Sequence, residues 1–401
     1  MKVLLLSNEY PPHTYGGAGV HVDYLSRQLR NLIEVDVRCF GDQKIREQGF
    51  SVTGFPAPTT EQTAPRALQS IFGAIHRCNQ FNMQSIDADV VHCHTWYTHL
   101  GGIFAKLNYG IPLVITVHSL EPLRPWKREQ LGGGYDFSCW VERTALEMAD
   151  AVIAVSEGTR HDILEHFNVD PKKVHIIYNG VDTEEYRKVD PSPALARFGI
   201  DPSQPYVLFV GRITRQKGII HLVEAIRHMD PGFQIVLCAG APDTPEIAAE
   251  MKAAVEAESA RREGIHWVAE MVDRKTLIQL YSGAGVFCCP SIYEPFGIIN
   301  LEAMACECPV VGSAVGGIPE VVLHDQTGYL VPVAQHREPP YSPLSPEDFA
   351  RDLAFSINRL MKDPDRRETF GKGGRERAEA LFGWNSIAKQ TADLYDSLLF
   401  R

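Results

Sequence analysis

Short apolar runs alternate with stretches of helical spacing along this chain, and the alternation runs through twice. In the first half the runs at 2–6, 35–39, 90–94, 113–117, 151–155 and 174–177 read as strands, with 20–30 and 140–149 among the helical stretches between them. A polar, proline-bearing zone at 182–205, which includes Asp190-Pro191-Ser192-Pro193, reads as a linker with a short helix. The alternation restarts at Tyr206-Val207-Leu208-Phe209-Val210. Strands follow at 234–238, 266–268, 286–289 and 310–312, with helices at 219–228 and 246–262. Alternating strands and helices imply parallel sheets covered by helices. Two such runs imply an α/β chain of two Rossmann-like, doubly wound domains facing across a cleft. The expected domains are 1–184 and 185–383, with a last helix, 384–401, crossing back to the first. Hinges are expected at Asn179-Gly180-Val181-Asp182 and before Trp384. A length of 401 residues suits two domains. The segment 334–345, rich in proline and polar residues, reads as a surface insertion.

The segment Ser291-Ile292-Tyr293-Glu294-Pro295-Phe296-Gly297-Ile298-Ile299-Asn300-Leu301-Glu302 places two carboxylates across a strand-to-helix turn. Such a turn lies at the carboxyl end of a sheet strand, where open α/β sheets bind ligands. The helix start offers backbone N–H groups at Ile298 and Ile299, which favour a phosphate. The flanking acids suit hydroxyls, so a nucleotide-sugar fits better than a bare phosphate. On this segment alone, an ordinary turn whose Glu294 complements the helix dipole is the simpler reading.

Three further segments bear on that choice. Tyr15-Gly16-Gly17-Ala18-Gly19 follows the first strand and opens the first helix, where glycines let backbone approach a ligand; it is not a dinucleotide fingerprint. Gly211-Arg212-Ile213-Thr214-Arg215-Gln216-Lys217-Gly218 holds the equivalent place in the second half. Cations at a helix start oppose the macrodipole, so Arg212, Arg215 and Lys217 point to an anion site. His118 ends a strand at the carboxyl edge, where a histidine can donate a hydrogen bond or act on a proton. His92 and His94 share one face of a strand, but the spacing offers no third ligand, and no metal is expected. The segment 118–135 then reads as a long functional loop. Sugar rings would stack on Trp126 or Tyr135, and cations such as Arg124 and Lys127 would take a phosphate.

Charge and cysteine content narrow the function classes. A net charge of −11 argues against general nucleic-acid binding, which needs a basic face. Nine cysteines lie mostly in apolar strands without a C-x-x-C pair, which suits reduced thiols in the cytoplasm. No apolar run approaches the roughly 20 residues of a membrane span, and residues 1–6 lack the form of a signal peptide.

Taken together these segments resemble the retaining glycosyltransferases of the GT-B fold, over nearly the whole chain. Glu294 and Glu302 match that family's E-x7-E motif, Arg212 and Lys217 its diphosphate-binding pair, and Asn8-Glu9-Tyr10-Pro11-Pro12 with Tyr15-Gly16-Gly17-Ala18-Gly19 its first loop. His94-Thr95-Trp96-Tyr97, the 118–135 segment and Gly211 to Gly218 resemble the actinobacterial-type glycogen synthases, including the α-maltose-1-phosphate synthases. The insertion at 334–345 departs from the motif set.

The resemblance implies ADP-glucose as donor, an α-glucan or glucose 1-phosphate as acceptor, and α-1,4 transfer with retention and without cofactor or metal. His118, Arg212, Lys217 and Glu294 would be catalytic. Gly16, Gly17, Phe296, Gly297, Ile298, Ile299 and Glu302 would bind the donor. Tyr15, Arg124, Trp126, Lys127 and Tyr135 would lie on the acceptor side. Glu302 would hold the ribose hydroxyls and Glu294 the donor glucose. Arg212 and Lys217 would neutralise the departing diphosphate, while His118 faces the sugar. Front-face attack is the expected route, since double displacement needs a carboxylate nucleophile at the anomeric carbon. Neither nucleic acid nor membrane is expected as a partner; a homodimer is compatible with the reading. Rival readings are the same fold with UDP- or GDP-sugars and another acceptor, a non-catalytic two-domain sugar-binding protein, and a nucleotide-sugar epimerase.

Overall fold

The first strand-like run is β1 (Lys2–Ser7), and seven more strands follow in the same sheet: β2 (Glu34–Phe40), β3 (Lys44–Glu47), β4 (Phe50–Phe55), β5 (Val90–His94), β6 (Leu113–Val117), β7 (Ala151–Ala154) and β8 (Val174–Ile176). The computed structural model describes residues 1–14, 16–57, 63–270 and 272–399. Strand order is β3-β4-β2-β1-β5-β6-β7-β8, parallel except where β3 pairs antiparallel with β4. β5, β6 and β7 are buried along their whole length, as expected for a parallel sheet covered on both faces. That is why they read as unbroken apolar runs. Order reverses between β1 and β5, and the register pairs Ser7 with His94 and His94 with Thr116, so their carboxyl ends form one edge.

The second sheet holds β9 (Tyr206–Arg212), β10 (Gln234–Gly240), β11 (Ile265–Val268), β12 (Val286–Cys289), β13 (Val310–Ser313) and β14 (Gly328–Val331), all parallel, in the order β11-β10-β9-β12-β13-β14. Here the order reverses between β9 and β12. Helices Ile219–Ala225, Pro245–Ser259 and Pro346–Met361 contribute Leu222, Met251 and Leu353 to the core under this sheet. Their starts carry side-chain caps where the sequence allows: Thr244 accepts from the Ile247 N–H and Ser345 from the Asp348 N–H.

The chain divides into two compact units, Met1–Gly180 with Trp384–Arg401, and Val181–Gly383. The helix Trp384–Leu399 belongs to the first. Its Trp384, Ile387, Tyr395 and Leu398 share a buried cluster with Val3, Leu5 and Val37 of the sheet. No described helix is long and apolar enough to cross a membrane.

Two sequence-based expectations need correction. The 118–135 segment is not a loop: it forms a short 3-10 turn, Glu121–Leu123, a helix, Lys127–Leu131, and the start of the helix Gly134–Met148. Three consecutive glycines suggested open chain. The last of them is instead the first residue of the helix Gly134–Met148, and a Cβ there would lie 2.7 Å from Ile71. The insertion at 334–345 also has a place in the frame. Gln335 Nε2 donates to the carbonyls of Ile292 and Tyr341, and Tyr341 stacks on Tyr293 at 5.9 Å, so the insertion is fastened to the turn before Glu294.

Candidate active site

In the C-terminal unit the site is built at the switch point between β9 and β12. β9 ends on Arg212, and the next turn carries Lys217 into the helix Ile219–Ala225. Two backbone approaches lock this turn to the segment after β12. The Ile292 N–H donates to the Gln216 carbonyl at 3.0 Å. Gly218, at φ +60°, lies so close to Pro290 that a Cβ would sit 2.1 Å from its carbonyl oxygen. Gly316, at φ +52°, comes similarly close to Glu294, whose carbonyl accepts from the Gly317 N–H at 2.9 Å.

This frame brings Lys217 Nζ to 2.7 Å from Glu294 Oε2, which also accepts from the Ser291 hydroxyl at 3.2 Å. Burial pulls the Lys217 ammonium down, but the Glu294 charge outweighs it and holds the pKa above the usual lysine value. Arg212 pairs with Asp243 at 3.0 Å, and Arg215 reaches Glu250 only at 3.9 Å from a half-exposed position. Lys217, through Glu294, thus presents a cation beside the turn that opens the helix Ile298–Ala305, capped by Gly297 at φ +96°, and the Arg212 charge is near enough to act on Lys217. The first N–H groups of a helix have no intrahelical partner, so Ile298 and Ile299 add donors at the same end. The Phe296 ring packs against Phe382 at 5.9 Å, which leaves its backbone as the part of that residue able to serve a ligand.

Glu302 follows one turn on. It is buried, and its Oε2 accepts from the Tyr281 hydroxyl at 3.1 Å, with Tyr186 as a second donor. Burial pushes its pKa up to about 7, against the pull of the two tyrosines and Arg274. Between the glutamates lies Asn300, fully buried, with both amide atoms lacking a hydrogen-bond partner. Sequence reasoning passed over it; the signal was an amide inside an otherwise apolar helical turn. Groups that accept from hydroxyls, cations for phosphate and an unengaged amide together suit a polyhydroxylated diphosphate.

The N-terminal unit supplies its own edge. Glu9 follows β1 and accepts from the Gly16 N–H at 2.7 Å, so this carboxylate occupies the start of the helix Gly17–Leu29. A phosphate lying there would have to displace it. Tyr15 lies outside the described residues. Thr95 adopts φ +66°, a strained value for a β-branched residue, and its hydroxyl donates to Asn8 at 2.7 Å.

His118 follows β6 with Nε2 3.0 Å from His94 Nδ1. His92 does not join them as a free ligand, because its nitrogens bond Tyr395 and Thr116 at 2.5 and 2.7 Å. The third imidazole that spacing alone did not supply comes from His21 on the helix Gly17–Leu29. Its Nδ1 is 2.6 Å from Asn179 Oδ1, and nitrogens of His21, His94 and His118 all lie within 4.8 Å of one another. Burial pulls all three pKa values down, that of His21 to about 4, so the rings are neutral.

On the acceptor-side expectations the structure is less favourable. Trp126 and Tyr135 are each 7% exposed, and Tyr135 donates its hydroxyl to the Glu121 carbonyl at 2.7 Å. Neither ring is a stacking platform, because both are packed into the unit. Arg124 bonds Ser119 at 2.9 Å and Lys127 bonds Gln130 at 2.7 Å, so these cations are engaged locally.

Residues 15–185 match the family model described as Glycosyltransferase Family 4, and residues 194–339 that of Glycosyl transferases group 1. The chain is 49% identical to an alpha-maltose-1-phosphate synthase of Mycolicibacterium smegmatis, covering 98% of this chain and 99% of that one. It is 30% identical to a D-inositol 3-phosphate glycosyltransferase of Xylanimonas cellulosilytica, over 95% and 91%. Among solved structures, a sucrose-phosphate synthase from Thermosynechococcus elongatus superposes with a TM-score of 0.75 at 25% identity, covering 99% of both chains.

Proposed function

Because this chain belongs to the group 1 glycosyltransferases of the GT-B fold, we propose that it transfers glucose from ADP-glucose to glucose 1-phosphate, forming an α-1,4 bond with retention. The observation that carries this reading is the 49% identity along 98% of the chain to an alpha-maltose-1-phosphate synthase. A disaccharide phosphate of that kind arises by adding one glucosyl unit to glucose 1-phosphate. The likeness of His94-Thr95-Trp96-Tyr97, the 118–135 segment and Gly211 to Gly218 to those of actinobacterial-type glycogen synthases supports ADP as the carrier.

In this reading Glu302, ionised, accepts from the ribose hydroxyls. Glu294 accepts from hydroxyls of the donor glucose, and the amides of Phe296, Gly297, Ile298 and Ile299 line the same end. Lys217 leaves Glu294 for the diphosphate when the donor binds, and Arg212 joins it. As the glycosidic bond breaks, charge grows on the diphosphate, and cations already in place stabilise it without reorganisation. The step therefore needs no metal on the diphosphate. His118 is assigned a hydrogen-bonding role toward the sugar. The acceptor hydroxyl enters on the leaving-group side, which accounts for retention without a covalent intermediate. Such an enzyme works among soluble sugar phosphates in the cytoplasm.

The test is initial-rate ADP release from ADP-glucose with glucose 1-phosphate and with glycogen, side by side. The reading expects clearly faster release with glucose 1-phosphate. Release with glycogen alone would move the acceptor to a glucan, and release with neither would remove the donor assignment.

A further inference from the structure

Three imidazoles from three separate elements converge in the N-terminal unit: His21 from the first helix, His94 from the end of β5 and His118 from the end of β6. Nothing in the proposed transfer uses His21 or His94. His21 is 2% exposed, yet its Nε2 lacks any hydrogen-bond partner. Buried polar atoms of this kind are costly, and in a native fold they call for a ligand or a role.

We propose that His21 Nε2, His94 Nδ1 and His118 Nε2 form a binding site for a divalent transition-metal cation of the zinc class. The tautomer of His21 is set for this. Its Nδ1 lies 2.6 Å from an amide oxygen, Asn179 Oδ1, which can only accept. The Nδ1 therefore carries the proton and Nε2 is left with a bare lone pair, on a ring 5.3 Å from that of His94 and 4.8 Å from that of His118, centroid to centroid. An outer hydrogen bond that fixes ring and tautomer is the usual support of a metal-bound histidine. The nitrogens of His94 and His118 stand 3.0 Å apart. Two nitrogens on a tetrahedral zinc, each at about 2.0–2.1 Å, lie roughly 3.4 Å apart, so this pair needs to open only slightly.

The rest of the environment agrees. His92 packs 4.3 Å from His94, centroid to centroid, and the Trp384 edge meets His21 at 5.2 Å, so the rings are held from behind. His118 is half-buried, which leaves one side for the cation to approach and a fourth position for water. Neutral imidazoles are the protonation state a metal requires, and burial keeps them so. The proton shared between His94 and His118 moves to an outer ring nitrogen on binding, so no net proton is released. An all-nitrogen set excludes magnesium and calcium, which take oxygen ligands, and suits zinc, cobalt, nickel or copper. Occupancy would withdraw His118 from substrate, so the site is inhibitory if the transfer reading holds; the binding itself does not depend on that reading.

The test uses the full chain stripped of metal with a chelator. Isothermal titration with zinc chloride should give one equivalent of tight binding. Cobalt(II) should give the visible bands of a tetrahedral site, with X-ray absorption showing nitrogen ligation. His21→Phe should abolish that equivalent, and Asn179→Leu should weaken it about 10- to 100-fold by freeing the ring. The absence of a stoichiometric site, an octahedral cobalt spectrum, or binding unchanged in His21→Phe would overturn the proposal. Should His21→Phe fail to fold, the cobalt spectrum of the unaltered protein decides alone. Because binding is read without turnover, failure here leaves the transfer reading untouched, and failure of ADP release leaves this one.

Discussion

Lys217 and Glu294 hold one another at 2.7 Å, both largely buried, and the Glu294 carboxylate holds the Lys217 pKa above the usual lysine value. Removing one partner of such a pair leaves an uncompensated charge at a cost of about 3–5 kcal/mol, whereas removing both is far milder. Lys217→Ala is expected to lower kcat about 10²- to 10³-fold and also to lower the melting temperature. Adding Glu294→Gln should restore much of the melting temperature and none of the rate. Recovery of rate in the double variant would show that Lys217 serves stability alone. Glu302 makes a pH prediction. Its folded pKa of about 7 stands above the ordinary 4.5, so the folded state holds its proton more tightly than the unfolded one. The stability it contributes is full below the unfolded value and is lost as pH rises through about 7, a change on the order of 3 kcal/mol. Urea unfolding between pH 5 and 8 should show this decline in the wild type and lose it in Glu302→Gln. The same ionisation makes Glu302 a better acceptor for ribose, so donor affinity should tighten over the window in which stability falls.

At the scale of the element, the cations and acids meet because backbone approaches backbone. Gly316→Ala would place a Cβ 1.9 Å from the Glu294 carbonyl at a positive φ. It should cost at least about 2 kcal/mol and raise the KM for donor, since the turn bearing Glu294 must shift. A variant with wild-type stability and KM would deny the turn that role. The strand cores were legible because buried parallel strands spell themselves out as apolar runs; β5, β6 and β12 lie where the pattern placed them. The hairpin strand β3 was not, because all four of its residues are exposed on a sheet edge and carry no burial pattern. The glutamates and cations of the C-terminal site were visible as residues at strand ends. His21 was invisible as a partner of His118, since only the sheet order brings the first helix beside β5 and β6. Trp126 and Tyr135 misled for the opposite reason: an aromatic near glycines looks like a sugar platform, while its burial is a tertiary fact.

At the scale of the molecule, the helix Trp384–Leu399 completes the N-terminal core although the whole C-terminal unit separates it in sequence from the rest. Four of its large side chains, Trp384, Ile387, Tyr395 and Leu398, are at most 9% exposed. At about 1.5–3 kcal/mol each they are worth on the order of 10 kcal/mol, as much as the net stability of a domain. Ending the chain at Gly383 should therefore unfold or aggregate the N-terminal unit, which a soluble, cooperatively melting fragment would disprove. The central claim is the proposed retaining glucosyl transfer onto a sugar phosphate. Proton NMR of the product as it first forms from ADP-glucose and glucose 1-phosphate tests it most directly. The account predicts a new α-configured anomeric signal from a 1,4-linked disaccharide phosphate, growing in step with ADP. A β-configured product, or free glucose alone, would contradict it.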